Sequence, residues 1–134
     1  METDLILSAI NELHQKANQA LENKDVTAYT AMFGNDLSFT PFEKPTINKR
    51  DFTIDLKKYF SGIKEIQTSH YRIKSSVEGG IFTEKIARKS VILKPKLLVF
   101  TKKQTIQTEE IYHWKISKGE WKVIALEIVL EEKY

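Results

Sequence analysis

Residues 107–128, QTEEIYHWKISKGEWKVIALEI, contain two runs rich in β-branched and aromatic residues on either side of Lys118-Gly119. Runs of this composition separated by a tight turn are typical of an antiparallel β-hairpin. The hairpin is predicted to extend from Thr105 to Leu130. Because it closes the chain, its pairing determines which side chains the last strands direct to each face of the sheet.

The predicted turn fixes the register of this hairpin. Directly opposed residues share a face, so one face should change from aromatic near the turn to acidic at Glu110 and Glu127. Like charges opposite each other destabilise a sheet, so these two carboxylates are predicted to be either solvated or functional. If desolvated, one would hold a proton near neutral pH and serve as a general acid or base. The predicted pairs are Ile116 with Trp121, Trp114 with Val123, Tyr112 with Ala125, and Glu110 with Glu127.

A different register is the alternative for this hairpin. If the turn is shifted by one residue, or if Glu127 lies at the sheet edge, both carboxylates contact water or pair with Lys or Arg. A shift of one residue would also exchange the two faces of the hairpin, because side chains alternate with a period of two.

The length and composition indicate one globular domain, residues 1–134. Hydrophobic residues make up 41% of the chain and charged residues 29%, which are ordinary values for a folded domain. No apolar stretch approaches the roughly 20 residues of a membrane span, and the first four residues, METD, are acidic where a signal peptide would be basic. We therefore expect a cytoplasmic protein without a membrane partner. The absence of cysteine excludes disulfides, thiol catalysis and cysteine-ligated zinc.

Charge and histidine spacing argue against two further classes of function. The net charge is +3, but the basic residues are interspersed with 18 acidic ones, so no nucleic-acid partner is expected. His14, His70 and His113 show no paired spacing such as His-x-x-x-His, so we predict no metal site and no cofactor. His113 should lie on the outer face of the hairpin, whereas His70 either reaches the pocket or is exposed.

The first half of the chain shows helical periodicity. Apolar residues recur at helical spacing, Asp25 is a candidate N-cap, and Gly34 is expected to end the second helix. Pro41 and Pro45 bracket a loop that regular structure cannot cross and that could lie over a pocket mouth. The predicted elements are a helix over 4–22, a second helix from Asp25 to Gly34, a strand over 37–40 and a third helix over about 50–61.

From Gln67 onward the pattern changes to strands. Gly79-Gly80 marks a hairpin turn, Lys94-Pro95-Lys96 is expected to interrupt a strand or begin a bend, and Lys102-Lys103-Gln104 is expected to be a connection. Strands that follow helices, without alternation, favour an α+β fold with an antiparallel sheet. The predicted strands are 67–77, 81–93 and 97–101, followed by the hairpin.

Two segments carry a resemblance to a known superfamily. Between Leu21 and Phe39 the pattern Asp25-Val26, Tyr29, Met32-Phe33, Asn35-Asp36-Leu37 and Phe39 resembles the second helix and first strand of nuclear transport factor 2-like proteins. The segment from Trp114 to Val123 is similar to their final hairpin. The chain looks most like the SnoaL-like and calcium/calmodulin-kinase association-domain-like branch. The resemblance implies a cone-shaped α+β fold with three N-terminal helices packed on a curved antiparallel sheet.

The resemblance also implies a pocket between the helices and the concave face of the sheet. Tyr112, Trp114, Val123, Ala125 and Glu127 would face this pocket. Many members have histidine or aspartate near the last two positions, so Ala125 is a departure. Glu84 is similar in position to a strand glutamate of hydrolase-like members. Tyr29 and Phe33, on one helical face, would cap the same cavity, so the expected ligand-binding residues are Tyr29, Phe33, Tyr112 and Trp114.

The other face of the hairpin is predicted to be apolar. Residues Ile111, Ile124, Leu126 and Ile128 alternate along the two strands, and such a row on the side away from the helices needs a cover. We therefore expect a homodimer that forms through this face.

The sequence predicts a pocket for a small, largely apolar molecule with one or two polar groups. In one alternative the protein is a cofactor-independent acid/base enzyme of isomerase, cyclase or hydrolase type, with Glu110 or Glu127 moving the proton. In the other it is a non-catalytic ligand-binding module or an interaction and assembly domain. Fold analogy alone does not decide between them.

Overall fold

The computed structural model describes residues 2–96 and 100–134. Helices and strands of an α+β fold occur in the order α1, α2, β1, β2, α3, β3, β4, β5 and β6. Their bounds are α1 Glu2–Glu22, α2 Val26–Thr30, β1 Phe33–Thr40, β2 Ile47–Asn48, α3 Lys49–Ser61, β3 Glu65–Glu78, β4 Ile81–Lys96, β5 Phe100–Ser117 and β6 Glu120–Lys133.

The helix starts follow local capping chemistry. The Asp25 carboxylate accepts the Ala28 amide at 3.0 Å, as its N-cap role predicts, and Asn48 does the same for Asp51 at 2.9 Å. The second helix, however, ends at Thr30, and Gly34 lies inside β1 instead of ending the helix. A Cβ at Gly34 would lie 2.7 Å from Oδ1 of Asp36 and 3.5 Å from the nearest backbone atom, so a larger residue there requires only that the exposed Asp36 side chain rotates away.

The six strands form one curved, unclosed sheet in the order β2-β1-β6-β5-β4-β3. Strand β1 pairs with β6 in parallel, so the predicted antiparallel pairing holds for the other neighbouring strands and not for this pair. Antiparallel neighbours in this fold are separated by at most six residues of sequence, whereas most of the chain lies between β1 and β6. No turn therefore constrains their relative direction.

Two predicted breaks in the sheet are continuous strand. Lys94 pairs with Lys102 and Pro95 with Thr101, so neither basic segment interrupts the ladder. The pairing of β4 with β3 ends at Leu93, so beyond that point β4 has a neighbour on only one side. Proline is tolerated there because its missing N–H faces no strand. The first three residues of the predicted strand 97–101 lie outside the described residues.

The final hairpin contains two β-bulges that the alternation pattern does not reveal. Lys118 and Gly119 have φ values of 53° and 81°, as in the predicted two-residue turn. The pairs nearest the turn, Ile116 with Trp121 and Trp114 with Val123, are as predicted. The register then shifts, first between His113 and Trp114 and again between Glu109 and Glu110. On β6 these shifts leave Ile124 and Val129 without a directly opposed partner.

Between the two bulges, residues 125–128 of β6 face the side of the sheet opposite to the predicted one. Tyr112 lies opposite Leu126, and Glu110 lies opposite Ile128, so the expected pairing of Glu110 with Glu127 is wrong. Glu127 instead lies opposite Ile111 and is exposed on the outer face.

The reversal also corrects the predicted outer row. Leu126 is 3% exposed in the core, and Ile128 packs against the core, so both belong to the inner face. Burying a large aliphatic side chain stabilises the fold by roughly 1.5–3 kcal/mol. The predicted register without bulges would instead bury Ala125 and a second carboxylate beside Glu110. This difference favours the bulged register.

The main core lies between the helices and the inner face of the sheet. It contains Ile10, Ala17 and Leu21 of α1 together with the inward-facing Phe82 and Ile86 of β4. Within the described residues, no helix is both long and apolar enough to cross a membrane.

Candidate functional site

A cavity of about 360 Å³ lies between α2, α3 and the inner face of the sheet. Its walls are mainly apolar and include Phe39, Phe52, Leu56 and Leu126. Its polar lining is supplied at one end by α2, β4 and β5 and at the mouth by the loop before β2 and by the end of β6. The polar lining residues are Tyr29, Lys44, Tyr59, Arg88, Ser90, Thr108, Glu110, Tyr112, Glu131 and Lys133.

Glu110 is the buried carboxylate of this cavity, with 6% exposure. Its Oε1 accepts the Tyr112 hydroxyl at 2.7 Å and Nε of Arg88 at 3.3 Å, and its Oε2 accepts the Thr108 hydroxyl at 2.7 Å. Burial alone would raise the pKa of Glu110, but the charge of Arg88 and these hydrogen bonds outweigh it and lower the pKa. Glu110 is therefore ionised at neutral pH and belongs to an ion pair.

Arg88 is held from two further directions. Its Nη1 donates to Oδ1 of Asn18 on α1 at 2.8 Å and to the Thr68 hydroxyl on β3 at 3.0 Å. Burial would lower the pKa of Arg88, but Glu110 and the neighbouring tyrosines raise it. The guanidinium thus stays charged, and the Arg88–Glu110 pair leaves this end of the cavity electrically balanced.

Tyr29 brings a different kind of group to the same end. It is 8% exposed, and within the described residues its hydroxyl has no hydrogen-bond partner. Burial raises its pKa above the ordinary value of 10.0, so the phenol keeps its proton. Burial and Glu110 raise the pKa of Tyr112 as well, but that hydroxyl already donates to Glu110. Tyr29 therefore offers a donor that a bound molecule could use.

A second buried carboxylate, Glu84, lies on β4 and is 0% exposed. Its Oε2 accepts Nε2 of His14 at 2.6 Å and the Trp114 indole at 2.7 Å, and its Oε1 accepts Nε of Arg72 at 2.9 Å. Burial would raise the pKa of Glu84, but His14, Trp114 and Arg72 lower it overall. Nδ1 of His14 is buried without a hydrogen-bond partner in the described part of the chain.

A polar stripe on α1 connects the two carboxylate clusters. Asn11, His14 and Asn18 are three and four residues apart, so they lie on one face of the helix. Asn11 accepts Nη2 of Arg72 at 2.8 Å, and Asn18 donates to Nδ1 of His70 at 3.0 Å. The sequence patterns did not lead us to predict this stripe. Its helical spacing beside the buried Ile10, Ala17 and Leu21 does indicate that these polar side chains face the sheet.

His70 and His113 occupy different sides of the sheet. His70 is half-buried on the inner side, and its ring lies 4.8 Å from that of His14. Burial and the charges of His14 and Arg88 lower its pKa to about 4. His113 lies on the outer side as predicted, paired with Ala125 and hydrogen-bonded to Thr83 at 3.0 Å.

Of the predicted site residues, the structure brings Glu110, Tyr112 and Tyr29 together and excludes the others from the cavity. Phe33 packs its ring 5.0 Å from Phe52 in the core, and Trp114 is 0% exposed behind Glu84. Glu127 is on the outer face. Among the described residues there is no group of three or more His, Asp or Glu side chains placed to hold a metal ion.

Comparisons with known proteins agree on the fold. No family model matches the sequence, and no curated protein matches it. A candidate scytalone dehydratase from Novosphingobium aromaticivorans superposes with a TM-score of 0.84 at 12% identity, covering 99% of this chain and 91% of that one. A type 2 hexachlorocyclohexane dehydrochlorinase (LinA) superposes with a TM-score of 0.77 at 12% identity, covering 100% of this chain and 93% of that one.

A candidate dehydratase of the NTF2-like family from Streptomyces avermitilis gives a TM-score of 0.74 at 12% identity, covering 95% of this chain and 99% of that one. These likenesses confirm that the chain has the nuclear transport factor 2-like fold, as its two sequence segments indicated. At these identities they concern the fold, and the chemistry depends on the side chains of the cavity.

Proposed function

We propose that the cavity binds a small, largely apolar molecule with one or two polar groups. The observation that carries this proposal is the hydroxyl of Tyr29, a protonated donor that has no partner in the described residues and is accessible at the polar end of an apolar cavity. Because no protein acceptor in the described residues uses this O–H, it is available to an acceptor that enters the cavity. A carbonyl or hydroxyl oxygen of a ligand would satisfy it.

The same geometry supports cofactor-independent acid/base chemistry on that molecule. Tyr29 would donate a hydrogen bond to a ligand oxygen, and Glu110, ionised beside Arg88, would accept a proton from carbon or oxygen. Three donors occupy Glu110, so the ligand would have to displace one of them for the carboxylate to act as a base. Two of the similar structures are candidate dehydratases and one is a dehydrochlorinase, which supports elimination as the reaction type.

Native mass spectrometry of gently purified protein tests the binding proposal. A discrete extra mass that is lost in Tyr29→Phe would support it, because this change removes only a hydroxyl with no described partner and should leave folding intact. Glu110→Gln would then separate an enzyme from a carrier: an enzyme loses turnover but keeps the ligand. Glu127→Gln is the matched control, since this carboxylate is exposed on the outer face.

We also propose a homodimer that forms through the corrected outer face. Ile111 and Leu130 are half-buried there beside a Lys85–Glu109 ion pair of 2.9 Å. Apolar area flanked by charge on a sheet face is typical of subunit contacts. This contact does not depend on occupancy of the cavity.

A further inference from the structure

The charge of the cavity is distributed unevenly along its length. At the inner end Arg88 and Glu110 form a pair of 3.3 Å that cancels both charges. At the mouth, Glu131 and Lys133 pair at 3.4 Å, while Lys44, from the loop between β1 and β2, lines the same cavity. Within the described residues Lys44 forms no ion pair. The mouth therefore carries one unbalanced positive charge.

Each end thus favours a different ligand group. The balanced inner end offers the Tyr29 donor to an uncharged acceptor, because a further charge there would be buried beside an ion pair that is already satisfied. The mouth is in contact with water, so a charged group can keep part of its hydration there while it approaches the Lys44 ammonium. The net charge of +3 adds a long-range attraction for anions.

We infer that the ligand is an amphiphilic monoanion, with a carboxylate at the mouth against Lys44 and a carbonyl or hydroxyl oxygen at the inner end against Tyr29. This inference rests on the proposed function and adds the chemical class of the ligand. A cavity of about 360 Å³ is at the small end of the range for small-molecule sites. An oxo or hydroxy acid with an apolar body between its polar ends matches it.

A pair of probes tests the inference. 4-Benzoylbenzoate has a ketone and a carboxylate, and 4-benzoylbenzamide is its neutral counterpart of similar shape. Isothermal titration calorimetry at low and high salt would compare the wild type with Lys44→Met and with Lys115→Met. Lys115 is an exposed lysine near the hairpin turn, far from the mouth, and so provides the matched control.

The expected result is specific for charge. Lys44→Met should weaken benzoate binding roughly three- to tenfold and leave the benzamide unchanged, because exposed charge pairs contribute modestly. High salt should weaken the benzoate in the wild type and much less in Lys44→Met. Lys115→Met should change neither probe, and Tyr29→Phe should weaken both.

The two proposals fail in different ways. If the benzoate binds and Lys44→Met leaves it unchanged, or weakens both probes equally, the charge inference is overturned and the pocket proposal stands. If the benzamide binds at least as tightly as the benzoate at low salt, the anionic class is likewise overturned. If neither probe binds the wild type, both proposals are contradicted.

Discussion

Nε2 of His14 and Oε2 of Glu84 lie 2.6 Å apart, and both side chains are at most 1% exposed. The pair joins the middle of α1 to the first part of β4 across the core. Removing a carboxylate from water is costly, and here Arg72 and Trp114 offset that cost together with His14. The contact therefore fixes the position of the helix on the sheet while depending on all of its partners.

Glu84→Gln is expected to destabilise the protein by about 3–5 kcal/mol, because it leaves the half-buried Arg72 guanidinium and the buried His14 ring without their carboxylate partner. Urea unfolding at pH 7 would measure the change. Glu127→Gln, on the exposed outer face, should stay within about 0.5 kcal/mol of the wild type. Similar losses in the two variants would contradict a special role for the buried pair.

Acid should destabilise the protein in two stages. The pKa of His70 falls to about 4 in the fold, below an unfolded value of about 6.5. Unfolded protein therefore binds more protons as pH drops from about 6.5 to 4, and stability decreases across that window. Because His70 is half-exposed, screening limits the loss to roughly 1–2 kcal/mol.

The second stage comes from Glu84 and Glu110, whose pKa values are lowered in the fold. Their contribution to the free energy of unfolding is complete above the pKa of about 4.3 that glutamate has in the unfolded chain. It is lost as pH falls through their lower pKa values in the folded protein. His70→Asn, which keeps an acceptor for Asn18, should flatten only the first stage in urea titrations at several pH values. An unchanged slope between pH 6.5 and 4 in this variant would argue against the assignment.

Neighbouring residues on β6 should respond in opposite ways to truncation. Leu126→Ala removes a core side chain and should cost about 2–5 kcal/mol, whereas Glu127→Ala should be nearly neutral. Thermal or urea unfolding would measure both. The simple alternating register predicts a smaller effect at Leu126, so comparable stabilities for the two variants would contradict the bulges.

Ile111→Lys should convert the proposed dimer to monomer, because it places a charge in the centre of the outer face. Sedimentation velocity over a range of concentrations would report the mass. Ile54→Lys, at an exposed position on α3, is the matched control and should leave the mass unchanged. A wild-type mass that equals one chain at every concentration would exclude this dimer.

Local signals were sufficient for much of the fold. Asp25 starts a helix, Lys118-Gly119 forms the hairpin turn, and the helical spacing of α1 places its apolar side on the core, because each depends on residues close in sequence. The parallel pairing of β1 with β6 depends on contacts between distant segments and has no local signature.

The candidate site was predicted only in part for the same reason. Tyr29, Tyr112 and Glu110 were identified from periodicity and resemblance and do line the cavity. Trp114 and Phe33 have the composition of a pocket wall but are covered by other side chains. The role of Glu84 depends on His14, 70 residues away in the chain, and periodicity within a strand does not carry that information.

The paired bulges of β6 have a consequence for redesigning the cavity. They invert residues 125–128 while both flanking segments keep their original facing, so inside and outside are exchanged only in this short window. A second acid beside Glu110 would therefore have to enter at Leu126 or Ile128, and enlarging Ala125 would alter only the outer surface. Substitutions at residues 126 and 128 would therefore alter the cavity, and substitutions at residues 125 and 127 would alter the outer face, each without changing the opposite side of the sheet.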